Sequence, residues 1–175
     1  MPRYKLLLEY DGSAFVGWQR QDNGLGVQQA VEEAVAAFAR ETVTAHCAGR
    51  TDSGVHALGQ VAHVALTRAF APQVVRNATN AHLKRHPVKV LAAEAVDDDF
   101  HARFSATERA YLYRILNRPG PPALDRGRVW WVPQPLHTEA MAAAAERLVG
   151  HHDFTTFRAT ECQAKSPVKT LDDLA

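Results

Sequence analysis

Two apolar, alternating runs flank one polar, glycine-bracketed stretch, and this arrangement limits what the chain can build. Thr42-Val43-Thr44-Ala45-His46-Cys47 precedes it and Gln60-Val61-Ala62-His63-Val64-Ala65-Leu66 follows it. Alternation at a period of two marks a strand with one face on a core. The stretch between them, Ala48 to Gln60, is therefore expected to be a loop on a rigid scaffold, where functional groups are commonly placed. Within it lie a cation, a carboxylate and two hydroxyls: Arg50, Asp52, Thr51 and Ser53. A carboxylate held ionised and exposed can serve as a nucleophile or a general base. Thr-Asp-Ser-Gly is also ordinary turn chemistry, because Asp and Ser bond local amides. On composition alone, the turn is the better reading.

The surrounding pattern extends the scaffold. Arg3 to Tyr10 is rich in Leu and Tyr and reads as a strand buried on both faces, ended by the turn Asp11-Gly12-Ser13. Val27 to Arg40 has Val27, Val31, Ala34, Val35 and Phe38 at helical spacing, with Glu32 and Glu33 facing water. Pro72 suits the first turn of a second helix, Pro72 to Leu83, with Val74, Val75 and Ala78 inward. Val88 to Val96 supplies a further strand. Strand, helix, strand, strand, helix, strand is the order of a ferredoxin-like split βαβ arrangement in an α+β fold with a mainly antiparallel sheet. Glu108 to Asn117 alternates cleanly, with Arg109, Tyr111, Tyr113 and Ile115 on one face. Arg118 to Gln134 is a long connection. Leu136 to Val149 is an Ala-rich helix closed by Gly150, and Val168 to Leu171 begins a strand.

Composition narrows the classes. Of 175 residues, 46% are apolar and 22% charged, which is globular rather than disordered. No run approaches the ~20 apolar residues of a membrane span, and no signal-peptide pattern opens the chain. Cys47 and Cys162 form neither a disulfide framework nor a zinc-ribbon spacing, so a cytoplasmic protein with reduced thiols is expected. The nine histidines are scattered, and no metal is expected. Asp97-Asp98-Asp99 reads as a solvated loop rather than a ligand cluster. A net charge of +1 argues mildly against a nucleic-acid partner, although the distribution of charge counts for more than its total.

The string Gly49-Arg50-Thr51-Asp52-Ser53-Gly54-Val55-His56, with Gly59-Gln60-Val61, closely resembles the active-site signature of tRNA pseudouridine synthases of the TruA family. Tyr10-Asp11-Gly12-Ser13 with Gly17-Trp18-Gln19-Arg20-Gln21 resembles that family's first signature. Phe100 to Ala106 resembles its cleft-lining loop, and Arg109-Ala110-Tyr111-Leu112-Tyr113 its Arg-x-Tyr-x-Tyr strand. Asp153 to Arg158 resembles the short segment after its helix. The resemblance implies an isomerase that converts uridine to pseudouridine in the anticodon stem-loop of tRNA, without cofactor and as a homodimer. It puts the catalytic nucleophile on Asp52 and makes Arg50, beside it, a support for the displaced strand or an occupant of the vacated space. It puts uracil stacking on Tyr111, and it gathers Arg20, Arg50, Arg103 and Arg109 around Asp52 as a basic cleft for tRNA. Read from the residues alone, Tyr111 is a core aromatic and the Phe100 to Ala106 segment a loop with two buried rings. Trp18 and Arg20 sit either in a packed aromatic loop or on a surface for stacking and phosphate contacts.

Whether Asp52 attacks the ribose carbon, attacks the uracil ring or assists a deprotonation is left open by the sequence. Family members normally continue into a His-His-Met-Val-Arg-Asn-like segment that this sequence lacks. The expectation is therefore residues 1–105 as the half carrying the Asp52 loop and 106–175 as the start of a second, incomplete half. A module that binds RNA without turnover is the main rival. A hydrolase using Asp52 with His56 lacks an oxyanion-hole or metal motif. A zinc-dependent base deaminase lacks a Pro-Cys-x-x-Cys.

Overall fold

The computed structural model describes residues 1–158 and 166–174; Cys162 lies outside the described residues. The chain divides into two compact units, Met1–Leu112 and Tyr113–Ala175. The fold is mixed α/β with a mainly antiparallel sheet.

In the first unit the elements run β1 (Arg3–Tyr10), α1 (Val27–Ala39), β2 (His46–Cys47), β3 (Ala57–Ala65), α2 (Pro72–His82) and β4 (Val88–Val96). The sheet order is β2-β3-β1-β4, and every neighbouring pair is antiparallel. β1 is central, but only one of its faces is fully buried. Tyr4, Leu6, Leu8 and Tyr10 point into the core, while Glu9 is exposed, correcting the expectation of a strand buried on both faces. α1 and α2 cover that face. Val27, Ala30, Val31, Ala34 and Val35 from α1 and Val75 from α2 complete the core with Val64, Leu66 and Leu83. Each fully buried Leu or Val contributes about 1.5–3 kcal/mol of transfer free energy. Val74, expected inward, is exposed, and the fully buried Thr79 takes a place in the α2 face by returning its hydroxyl to the Val75 carbonyl (2.7 Å).

β2 is shorter than the alternation of residues 42–47 suggests, and α1 explains why. The Ala45 N–H donates to Glu32 Oε1 (3.0 Å) and the Ala45 carbonyl accepts from Gln28 Nε2 (3.2 Å), so helix side chains take groups a ladder would have used. Glu32 is thus buried, not solvent-facing; Glu33 does face water. Trp18 is also core, with its ring 6.3 Å from that of Tyr10, so it offers no stacking surface.

The second face of the sheet carries Lys5 and His63, opposite each other in the β1–β3 register. The 100–105 segment returns against it: the Arg3 guanidinium donates to the Phe100 carbonyl (2.5 Å), and the Ala102 N–H donates to His63 Nδ1 (3.1 Å). Of the two rings expected buried in this segment, Phe104 is exposed.

In the second unit, β5 (Ile115–Asn117) pairs in parallel with β6 (Trp130–Val132), α3 spans Thr138–Glu146, and β7 (Gly150–Asp153) pairs antiparallel with β8 (Val168–Leu171). The long strand expected over 108–117 is reduced to β5, because residues 108–114 find no ladder partner among the described residues and alternation alone makes no sheet. α3 ends at Arg147, whose N–H returns to the Ala144 and Ala145 carbonyls, so Gly150 does not cap it. Instead Gly150, at φ +117°, opens β7.

Candidate active site

Two loops lie backbone to backbone and build the site. One leaves β1 through residues 11–18; the other leaves β2 through residues 48–56. Gly12 and Gly17 permit the contact. A Cβ on Gly12 would overlap the Val55 carbonyl, and one on Gly17, where φ is +108°, would lie 2.8 Å from the Thr51 carbonyl oxygen. The loops are then stitched together. The Trp18 N–H donates to the Thr51 carbonyl (2.9 Å), and the Gly54 N–H and Ser53 hydroxyl reach the Phe15 carbonyl (both 3.4 Å). Tyr10 and Thr51 share a hydroxyl–hydroxyl bond (2.8 Å).

The β3 side holds the other flank. Gln60 Nε2 donates to the Gly49 carbonyl (2.6 Å), and the Ala48 N–H donates to the Val61 carbonyl (2.8 Å). The Val55 N–H donates to the Asp52 carbonyl (3.2 Å), closing the turn, and the Asp52 side chain stands exposed on it. The turn is therefore rigid in its backbone and open at its carboxylate. Farther along, His56 Nδ1 faces both the Gly12 N–H (3.1 Å) and Asp11 Oδ1 (3.1 Å). A neutral ring accepts from the amide there, and a protonated one donates to the carboxylate.

Arg109 is the clamp on this turn. Its guanidinium donates through Nε (3.1 Å) and Nη2 (2.9 Å) to the Ala48 carbonyl, and through Nη2 to the Arg103 carbonyl (3.0 Å). Arg50, Arg103 and Arg109 all act electrostatically on the Cys47 thiol and pull its pKa down. Burial outweighs them and pushes it up to about 11. Cys47 is thus a protonated thiol at neutral pH and no rival nucleophile. Tyr111 is exposed, so the core reading of its ring does not hold. A Cβ on Gly49 would lie 3.7 Å from its hydroxyl and 3.5 Å from Arg109 Nε. Burial raises the Tyr10 pKa, and Tyr111 also acts on it electrostatically.

Of the residues singled out in the sequence, Arg50, Arg103, Arg109 and Tyr111 thus gather beside the Gly49–Asp52 turn. Arg20 is placed differently: Glu32 holds its guanidinium through Nη2 (3.0 Å) and Nε (3.1 Å). Sequence reasoning missed Glu32 and His63, and gave Gln60 no role beyond its place in the Gly59-Gln60-Val61 string. Only Glu32 carried a signal, a carboxylate beside Val31 at the margin of a helical apolar stripe, four residues after Gln28. Among the described residues, no group of three His, Cys, Asp or Glu side chains is placed to hold a metal ion. No helix is long and apolar enough to cross a membrane.

A carboxylate on a pinned turn, guanidinium groups beside it and an exposed aromatic ring make a site suited to a base and phosphates of a nucleic acid. The sequence profile described as tRNA pseudouridine synthase matches residues 7–105 and 144–175, and the chain belongs to that family. It is 64% identical to the tRNA pseudouridine synthase A of Paramagnetospirillum magneticum, over 99% of this chain and 68% of that protein. The corresponding protein of Rhodospirillum centenum is 65% identical over all of this chain and 71% of its own length. That of Nitrobacter winogradskyi is 63% identical over 99% of this chain and 68% of its own length.

Proposed function

We propose that this protein is an isomerase that converts uridine to pseudouridine in tRNA, with Asp52 as its reacting carboxylate. Family membership supports the reaction. The observation that carries the residue assignment is the exposed Asp52 side chain on a turn whose backbone is tied on both flanks, at Thr51 to Trp18 and at Gly49 to Gln60. A side chain so mounted meets its target with little reorganisation.

The bond between the ribose carbon and the uracil nitrogen breaks, the base turns, and a bond from the same ribose carbon to a ring carbon forms. That ring carbon loses its proton and the freed nitrogen gains one, so atoms balance without an oxidant or a second substrate. Asp52 supplies the carboxylate, as nucleophile toward the ribose carbon or the ring, or as the base. The target base must leave its stack, at a cost of a few kcal/mol. Arg50 fits the role of holding the displaced strand, and Tyr111 that of stacking on the uracil. Arg103 fits a contact to the backbone phosphates and Arg20 a contact to tRNA, while Arg109 braces the turn.

The finer reading is of a uridine in the anticodon stem-loop, a homodimer and a cytoplasmic protein. The strand order β2-β3-β1-β4 supports a ferredoxin-like split βαβ unit. In this reading, residues 1–105 form the half that bears the reacting carboxylate.

The test is incubation with unmodified tRNA followed by detection of pseudouridine. Asp52→Asn keeps the shape of the side chain and removes its charge, so turnover vanishes while tRNA binding persists. Residual activity within about tenfold of wild type would refute the assignment, since losing the reacting group costs far more.

A further inference from the structure

Three imidazoles from three parts of the first unit meet under the second face of the sheet. His46 from β2 stacks on His63 from β3, with ring centroids 5.0 Å apart and planes 22° apart. His101, from the returning 100–105 segment, packs edge-on against His63 at 4.7 Å and lies 5.3 Å from His46. Phe104 covers His101 at 4.5 Å, and Phe100 stands edge-on to His63 at 6.0 Å. His63 is buried, and His46 and His101 are not. None of these rings has a part in the chemistry above.

Two of these rings accept a backbone amide, His101 that of Arg103 (3.2 Å) and His63 that of Ala102, but only the His63 bond is buried. His63 Nδ1 accepts the buried Ala102 N–H (3.1 Å), which fixes the ring as neutral with its proton on Nε2. Ala102 is followed by Arg103, whose carbonyl receives the Arg109 guanidinium that also grips Ala48. Ala48 precedes Gly49 and the turn of Asp52. The chain of contacts thus runs from His63 to Ala102, along the backbone to Arg103, and through Arg109 to the root of that turn.

We propose that His63 is a positioning residue for the uridine site: its neutral imidazole seats the 100–105 segment so that Arg103 and Arg109 hold the Asp52 turn in place. The proposal rests on the function proposed above and names the group that sets the geometry of that site.

The groups around His63 are arranged to keep it neutral. From β1, Arg3 acts on it electrostatically, and Lys5 stands opposite in the ladder with its ammonium taken by Glu94 (2.7 Å). From β2 comes His46, and from the returning segment His101, with Arg103 beyond it. Burial lowers the His63 pKa most, His101, His46 and Arg3 add to it, and together they bring it from 6.5 to about 4. Above that pH the ring accepts from Ala102. Below it Nδ1 carries a proton, and the Ala102 N–H loses its acceptor.

The experiment compares wild type with His63→Leu and His63→Asn. Leu removes the acceptor. Asn places a carbonyl oxygen near the Nδ1 position and cannot be protonated. Single-turnover formation of pseudouridine on unmodified tRNA is measured at pH 7.5, with amide exchange at Ala102 followed from pH 7 to pH 4. His63→Leu is expected to slow the chemical step by roughly 10- to 100-fold, the penalty of a displaced reacting group, and to leave KM nearly unchanged. His63→Asn is expected to recover the rate to within about threefold, since it restores the acceptor. In wild type, protection of the Ala102 amide falls as pH approaches 4; in His63→Asn it does not. Should His63→Leu fail to fold, the rate and exchange profile of His63→Asn carry the test. A wild-type rate in folded His63→Leu, a His63→Asn variant as slow as His63→Leu, or identical Ala102 exchange profiles in wild type and His63→Asn would each overturn the proposal. Absence of pseudouridine with wild type would instead strike the assigned reaction, and the Ala102 profiles would still decide whether His63 holds the segment.

Discussion

Replacing Glu32 by Ala should cost this protein far more stability than replacing its ion-pair partner Arg20 by Ala. The two side chains form one bridge, but they stand in different surroundings: that of Arg20 is 50% exposed and that of Glu32 only 9%. When Arg20 is truncated, Glu32 still accepts from the Ala45 N–H and from Gln28 Nε2 (2.9 Å). The loss is then that of a half-exposed pair, on the order of 0–1 kcal/mol. Glu32→Ala removes the acceptor from a buried backbone N–H, worth about 1–3 kcal/mol. It also leaves Gln28 to rearrange and opens a gap beside α1, so about 2–4 kcal/mol is expected in total. At ~2–4 °C per kcal/mol for a chain of this size, the melting temperature should fall by roughly 4–16 °C, against ~4 °C or less for Arg20→Ala. Thermal unfolding followed by circular dichroism reads both. Equal losses would show that the ion pair, and not the capping of Ala45, is what Glu32 contributes.

Gly17→Ala forces a side chain onto φ +108° and within 2.8 Å of the Thr51 carbonyl oxygen, so it should lower both the melting temperature and turnover. A fully active, equally stable Gly17→Ala would contradict the packing of the two loops. Tyr111→Phe keeps the ring and should retain tRNA affinity, whereas Tyr111→Ala should lose it; filter binding at fixed salt separates them, and an Ala variant with wild-type affinity and turnover would remove Tyr111 from the site. Stability should fall as pH drops from about 6.5 to about 4, because the unfolded chain protonates His63 first while the folded ring stays neutral. The contribution of His63 is bounded at about 3 kcal/mol, and urea unfolding of His63→Asn should lack it; the same slope in both proteins would refute this.

The sequence by itself determined the order and kind of the first unit's elements. Period-two runs and 3.6-residue stripes depend only on which side chains must leave water, so β1, α1, α2 and β4 could be placed within a residue or so. The stretch Gly49 to Gly54 was legible for the same local reason: a turn between two strands needs glycines and short polar side chains. What the tertiary structure decided are the contacts between residues distant in the chain. Glu32 looked solvated because the Ala45 amide that it accepts from arrives from another segment. Trp18 looked available for stacking until Tyr10 and the core covered it. Residues 108–114 kept their alternation and formed no strand, because a ladder needs a partner that no pattern within the segment can supply. Arg109 was legible as a cation but not as a brace, and His63 not at all. A hydrogen bond to an amide 39 residues away leaves no periodic mark in a sequence.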